Sequence, residues 1–471
     1  MTDLWRESAT TLAGMIARRD VTSSEVIDAH LARIVDVNLK VNALPFVLEE
    51  QARRGAAAAD KALAAGEPLG PFHGVPFTVK LNIDIVGSPT TNGVPALADA
   101  MPSLDHPMVE RMKAAGAIAI GRGNLPDMAL RVHTDSALHG LTRNPWNLDR
   151  TAGGSSGGEA AALASGMTPL GLGNDIGGSL RNPAFCCGIA SLKPGLGRIP
   201  TASSLEPRSG ALVGQLMAVQ GPMARTVGDL RTALSVLAGP HPRDPWSFPA
   251  PLTGPAPAKP IRVAVVADPP GGTTAPEISA GVMAAAAALR DAGYDVREVT
   301  PPMVEEAITA WGRWISWELG LLREQMSALM SPVAARFFFG FTDSFGPATL
   351  EDHVGLLVQR HVIARAWSEF FADYPLILGP TWCQPQFAHG ADVAEGGLEA
   401  TLNLMRFVTP MNLLGLPVVC VPAGTHGGLP LGVQVIGDRF REDLCLDAAE
   451  EIEKRLGVIT PIDPVGDRPA A

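Results

Sequence analysis

The chain reads as an α/β protein built on one large, mostly covered sheet, and three observations carry that expectation. Strand and helix signals alternate along most of its 471 residues, the pattern that builds a sheet layered with helices. The strand signals are short, unbroken apolar runs such as Ala117-Ile118-Ala119-Ile120, which read as buried strands. The length alone suggests about three domains, but large α/β enzymes routinely exceed that prior as one compact unit.

Taken in order, residues 3–66 read as helices. Thr22-Ser23-Ser24-Glu25 matches a capping box ahead of Val26, Ile27, His30 and Leu31. Gly74-Val75-Pro76-Phe77-Thr78-Val79-Lys80 is a β-branched run that delivers a lysine into the interior. Residues 117–120 form a strand after a helix, and 159–165 an alanine-rich helix. A strand is expected over 261–266 and a helix over 278–292. Residues 239–260 are proline-rich and read as a long surface loop within one fold rather than a linker. Residues 300–370 are expected to form a helical cover where substrate choice is settled, and the tail 465–471 to be mobile.

Composition narrows the class. A net charge of −11 argues against nucleic acid or an anionic membrane surface as the main partner. Five cysteines, including adjacent Cys186 and Cys187, and an N-terminus without a basic-then-apolar signal point to free thiols in a reducing cytoplasm. No apolar stretch is long enough to span a bilayer. The ten histidines show no H-E-x-x-H or tight Cys/His spacing, so neither metal nor cofactor is expected.

Two glycine-packed blocks carry the chemistry. The first is Gly153-Gly154-Ser155-Ser156-Gly157-Gly158, and the second is Asn174-Asp175-Ile176-Gly177-Gly178-Ser179-Leu180-Arg181. Consecutive glycines are costly in conformational entropy and imply close approach to the main chain or unusual dihedrals. Three successive N–H groups, of Ile176, Gly177 and Gly178, would make a pocket for developing negative charge, with Ser179 at its lip as nucleophile. Serine needs a base. Burial of Lys80 lowers its pKa from about 10.4 towards the useful range of about 7–8.

Gly153 to Gly157 also fits G-x-S-x-G, the nucleophile elbow of another hydrolase fold. The β-branched strand that should precede an elbow is replaced by the polar Asn147-Leu148-Asp149-Arg150-Thr151, and a second serine block follows. A phosphate loop fails because neither block supplies the closing lysine and hydroxyl.

On these residues the chain closely resembles the amidase signature family of Ser-cisSer-Lys hydrolases. The resemblance extends to Thr142-Arg143-Asn144-Pro145-Trp146, Ser191-Leu192-Lys193-Pro194, Gly221-Pro222-Met223-Ala224-Arg225-Thr226-Val227, Gly415-Leu416-Pro417 and Leu431-Gly432-Val433-Gln434-Val435-Ile436-Gly437. It implies one compact domain over 1–471 with a large mixed central sheet covered by helices on both faces. The catalytic core would span about 67–235 and the C-terminal part of the core about 371–460. It also implies Ser179 as nucleophile, Ser155 as bridging serine in a cis peptide with Gly154, Lys80 as base, and Ile176, Gly177 and Gly178 as the oxyanion hole.

The implied function is hydrolysis of a carboxylic amide, on a bulky or apolar small molecule, by a monomer or homodimer. Carbamates, aryl amides and esters follow the same addition–elimination route. The family also contains glutaminase components of tRNA-dependent amidotransferases, and a different class of reading is a dead binding protein on this scaffold. Leu81 replaces the family's aspartate after the lysine, Asn174 a threonine, and Glu159 a small residue. Gly123, Asp127 and Met128 depart from the usual threonine, glutamate and aromatic. Met128, Arg208 and Trp382 are candidate pocket residues. Trp311, Trp314 and Trp317, spaced by three, are expected on one helical face, lining a channel with Phe337, Phe338 and Phe339 or packing in the core. Asp175 and Arg181 are expected to form a buried ion pair that fixes the nucleophile loop.

Overall fold

An eleven-stranded mixed sheet is the centre of the computed structural model, which describes residues 3–208 and 210–465. The tail after Val465 lies outside the described residues. In chain order the strands are β1 Phe46–Val47, β2 Pro76–Lys80, β3 Ile118–Gly123, β4 Leu170–Asp175, β5 Ala190–Lys193, β6 Val219–Ala224, β7 Arg262–Val265, β8 Asp295–Glu298, β9 Leu376–Pro380, β10 Val418–His426 and β11 Leu429–Gly437. Across the sheet they run β1-β3-β2-β4-β6-β5-β10-β11-β9-β7-β8. β3, β2 and β4 are parallel to one another, as are β9, β7 and β8; the strands between them pair antiparallel.

The helices that matter for the site are α1 Ala9–Ala17, α2 Ser23–Val41, α3 Glu49–Ala64, α4 Gly157–Ala164, α5 Arg181–Cys187, α6 Pro276–Asp291, α7 Val304–Gly320, α8 Pro332–Asp343, α9 Leu350–Asp373 and α10 Glu442–Leu456. α2 starts with the expected capping box, Thr22 and Glu25 each bonding the other's backbone N–H. It stops at Asn42, whose left-handed φ of 53° is eased by its side-chain amide donating to His139 O and Leu141 O; asparagine tolerates that region better than most residues.

Strand alternation divides the core into two layers. Leu376, Leu378, Val419, Val421, Phe77 and Val79 face α1, α6 and α10, while Ile377, Val418, Cys420 and Ile436 face α4, α5 and α7. Phe77 and Val79 therefore turn one way along β2, and Thr78 and Lys80 turn the other, towards α4. Every residue of β2 is buried, because strands lie on either side of it and helices cover both faces.

The N-terminal stretch is helical as expected, except that Phe46–Val47 escapes to become the edge strand, paired antiparallel with β3. Residues 239–260 form no helix or long strand. They are held to the body by Arg198, which donates to Ala250 O and Pro251 O at 2.7 and 2.9 Å. The strands before and after this loop, β6 and β7, lie in the same sheet. Asn147–Thr151, the stretch that replaces an elbow strand, stays outside the large sheet: it pairs with Arg143–Asn144 in a two-stranded ribbon and makes a single bridge from Arg150 to Ala388. All five cysteines are buried and free, and no described helix is long and apolar enough to cross a membrane.

Candidate active site

Lys80 ends β2 with its side chain fully buried. Its Nζ donates to Ser155 Oγ at 2.8 Å and to Asn174 Oδ1 at 2.7 Å. Asn174 is held in turn by its amide donating to Asn82 Oδ1 at 3.0 Å. Burial pushes the Lys80 ammonium down to about 7, against the pull of Asp175 and Glu159. Leu81, fully buried beside it, adds no charge of its own.

Ser155 is placed by the glycines around it. The Gly154–Ser155 peptide is cis, and Gly153 has φ of 78°. A Cβ on Gly153 would lie 2.6 Å from Pro183 Cα, and one on Gly154 2.8 Å from Arg131 O. Both neighbours are main-chain atoms that cannot swing aside, so these positions require glycine for space. α4 then springs from the block, fully buried along its length. The Ser156 N–H donates to Ser179 O at 3.2 Å and ties the two serine blocks together.

The second block is organised by Asp175. Its carboxylate accepts from Arg181 Nε and Nη2 at 3.0 Å each, from Asn412 Nδ2 at 2.9 Å, and from the N–H groups of Gly178 and Leu180 at 2.8 and 3.1 Å. Burial alone would raise this carboxyl, yet Arg181, Lys193 and Asn412 together hold it well below the usual carboxylate range. Arg181 also donates to Val408 O, Gln434 Oε1 and Asn412 Oδ1. The pair fixes the loop.

The Gly178 N–H is thus engaged by Asp175, which differs from the expectation that it faces the substrate. The N–H groups of Ile176, Gly177 and Ser179 have no acceptor among the described residues. The carbonyls of this loop are anchored from behind: Trp311 Nε1 donates to Ile176 O at 2.9 Å and Asn182 Nδ2 to Gly177 O at 3.2 Å.

Ser179 opens onto an apolar cavity of about 80 Å³ lined by Ile176, Gly177, Val132, Trp311, Phe337, Phe338, Phe341 and Met405 among others. A larger cavity of about 540 Å³ lies beyond Asn82 and reaches none of Lys80, Ser155 and Ser179. Arg208 lines that larger cavity, paired with Glu206 at 2.9 Å and 71% exposed, so it is not part of the serine pocket. Trp382 is fully buried; its Nε1 donates to Asn182 Oδ1 at 2.9 Å, which makes it a support behind the Ser179 loop rather than a lining residue. Met128 packs against Met330, Ala334 and Phe338, and the pocket wall is formed by its successors Ala129, Leu130, Arg131 and Val132.

The three tryptophans pack in the core: Trp311 and Trp314 are buried in one apolar cluster and Trp317 lies against it, each with a different neighbour. Trp311 meets the Ser179 loop, Trp314 donates to Glu318 at 2.6 Å under the Arg360 guanidinium, and Trp317 lies against His353. At 100° per residue, steps of three turn back by about 60° each, so the three rings span an arc of about 120° that faces one cluster but meets different neighbours along it. Phe337 and Phe338 line the cavity, whereas Phe339 sits under Arg323. Asn174, noted in the sequence only as a replacement for the family's threonine, accepts from Lys80, and Asn82, which carries no sequence signal beyond proximity to the lysine, braces it. Among the described residues no group of three or more His, Cys, Asp or Glu side chains is placed to hold a metal ion.

A family model described as Amidase matches residues 25–446. The chain belongs to the amidase signature family. It is 41% identical to an indoleacetamide hydrolase of Bradyrhizobium diazoefficiens, over 97% of this chain and 88% of that one. It is 33% identical to an acylamidase of Rhodococcus erythropolis, over 95% and 94% of the two chains. The structure of 6-aminohexanoate cyclic dimer hydrolase complexed with substrate superposes with a TM-score of 0.82 at 27% identity, covering 97% of this chain and 98% of that one. The chain is an amidase: it hydrolyses carbon–nitrogen bonds of carboxylic amides.

Removing one member of a buried ion pair costs about 3–5 kcal/mol because the other is left uncompensated. Asp175→Asn is therefore expected to lower stability in urea by about that amount, whereas Arg208→Ala, at an exposed pair, stays within about 0.5 kcal/mol of the parent. Equal urea midpoints for Asp175→Asn and the parent would remove the loop-fixing role of the pair.

Proposed function

We propose that this amidase acts on bulky, apolar carboxylic amides through an acyl-enzyme on Ser179, with Ser155 relaying protons between Ser179 and Lys80. The observation that carries the reading is the 2.8 Å contact between Lys80 Nζ and Ser155 Oγ, next to Ser156, whose N–H donates to Ser179 O.

In this mechanism the free amine of Lys80 takes the Ser155 proton while Ser155 takes that of Ser179, and Ser179 Oγ attacks the amide carbonyl. Charge on the carbonyl oxygen develops against the N–H groups of Ile176, Gly177 and Ser179, which are fixed before the reaction and need no reorganisation. Ser155 then returns a proton to the departing nitrogen, and water, activated by the same relay, releases the acid.

The aromatic and aliphatic lining of the Ser179 cavity supports an aryl or other apolar acyl group, in keeping with the indoleacetamide hydrolase relative. A glutaminase would have to hold the substrate's α-ammonium and α-carboxylate. The charged side chain on this wall, Arg131, is already paired with Asp392 at 2.6 and 2.9 Å. Buried cysteines without a disulfide fit a reducing compartment such as the cytoplasm.

Three outcomes are expected. A fluorophosphonate should label the wild type at Ser179 and leave Ser179→Ala unlabelled and inactive; label confined to Ser155 would exchange the two roles. Ser155→Ala should lower amide turnover by at least ~10²-fold, and turnover of a matched aryl ester far less, because an amine leaves only with a proton and a phenolate does not. Equal losses on the two substrates would eliminate the relay.

The third outcome concerns pH. Lys80, neutral above about 7, should produce a limb of kcat/KM that rises with pH, since its ammonium form cannot accept a proton. That limb should vanish together with the rate in Lys80→Ala.

A further inference from the structure

Glu159 is a buried acid that no step above uses. It is the third residue of α4 and four residues after Ser155, with no solvent exposure. Two glycines make room for its carboxyl. A Cβ on Gly123 would lie 2.1 Å from Glu159 Oε1, and one on Gly171 2.5 Å from Oε2. Neither glycine has positive φ, so a side chain at these positions would compete with the carboxyl for space and not with the backbone conformation.

The cradle is built around β2. Gly123 is in register with Lys80 on one side, and Gly171 with Thr78 on the other. Thr78 Oγ1 donates to Glu159 Oε2, and Thr78 and Lys80 are neighbours on the same face of β2, one strand repeat apart. The carboxyl thus lies over the stretch of strand that ends in Lys80. Its Oε1 packs against Gly123 without a well-formed hydrogen bond, a poor environment for a full negative charge.

The other charged groups around it are committed elsewhere. Arg122, on β3, donates to the carbonyls of Val79, Pro89, Ile83 and Lys80 and to Ser88 Oγ. Asp175, at the end of β4, is closed by Arg181. Lys80 is the titratable partner on β2. Burial pushes the Glu159 carboxyl up to about 8, against Thr78, Arg122, Lys80 and the Gly123 N–H.

We propose that Glu159 is a positioning residue of the hydrolysis, whose own protonation sets how much of Lys80 is present as the free amine. This rests on the reading of Lys80 as base. A protonated Glu159 leaves Lys80 free to lose its proton; an ionised one holds the ammonium, because opposite charges in a low dielectric favour each other's charged forms. The two groups therefore titrate as a pair. The volume left open at Gly123 holds the carboxyl of Glu159.

The test is the pH dependence of kcat/KM from about pH 5 to pH 10 for the wild type, Glu159→Gln, Thr78→Val and Lys80→Ala, on one amide whose chemistry is slow. Glu159→Gln keeps an acceptor for Thr78 but cannot ionise. Its limb should be a single deprotonation with a midpoint at least ~0.5 pH unit below that of the wild type. Thr78→Val removes a bond that favours the ionised carboxylate, so its limb should also move down, by less; it serves if the first variant fails to fold. A limb that stays in place or moves up in a folded variant, with Lys80→Ala inactive, overturns the proposal and leaves the lysine assignment standing. A Lys80→Ala enzyme that keeps its rate and limb overturns the lysine assignment, and this inference with it.

Discussion

The buried pair of Asp175 and Arg181 is the joint on which the site depends. Asp175 closes β4, the strand whose preceding residue, Asn174, holds Lys80. Its carboxylate also receives the main chain on both sides of Ser179. Arg181 carries the same network across to Val408, Asn412 and Gln434, more than two hundred residues along the chain. A charge pair this deep is stable only when every oxygen and nitrogen finds a partner. Here that requirement is met by both halves of the sheet at once, so the Ser179 loop takes its shape only when the whole sheet has assembled.

The same burial sorts the lysines. Lys80 and Lys193 are both fully buried, and desolvation pushes each down to about 7. Lys193 Nζ donates to the carbonyls of Pro194 and Leu416 at 3.2 and 2.6 Å, acceptors with no proton to give. Lys80 reaches a hydroxyl. A lowered pKa therefore does not by itself single out a base; contact with a group that can exchange a proton is what makes Lys80, and not Lys193, the candidate.

Selectivity has a separate origin. Most of the wall of the Ser179 cavity comes from α7, α8 and the segment after Met128, with Ile176 and Gly177 of the second glycine block closing one side. Trp311 serves both layers: its indole N–H holds Ile176 O while its ring lines the pocket. Under the proposed mechanism, a change in α7 or α8 would alter which acyl groups fit without touching the Lys80–Ser155 contact, since these residues belong to different elements.

Fold class, family, and the two serines and the lysine as candidates were all legible in the order of the residues, because each rests on a local signal. Thr22 and Glu25 cap a helix within four positions, a β-branched run ends in Lys80, and paired glycines flank Ser155 and Ser179. The remaining features were settled by packing. Tertiary contacts turned Trp382 to the back of the Ser179 loop, left Arg208 on a different cavity, gave each tryptophan of α7 a different neighbour, drew Phe46–Val47 into the sheet, and closed the Gly178 N–H onto Asp175. None of these could be read locally, because each depends on what packs against the residue from segments distant in the chain. Asn82, Asn174 and Glu159 make the point most plainly. As isolated letters they are polar residues near a motif; the pairing of β2 with β4 brings Asn82 and Asn174 to one buried amine, and α4 lays Glu159 over the strand that ends in it.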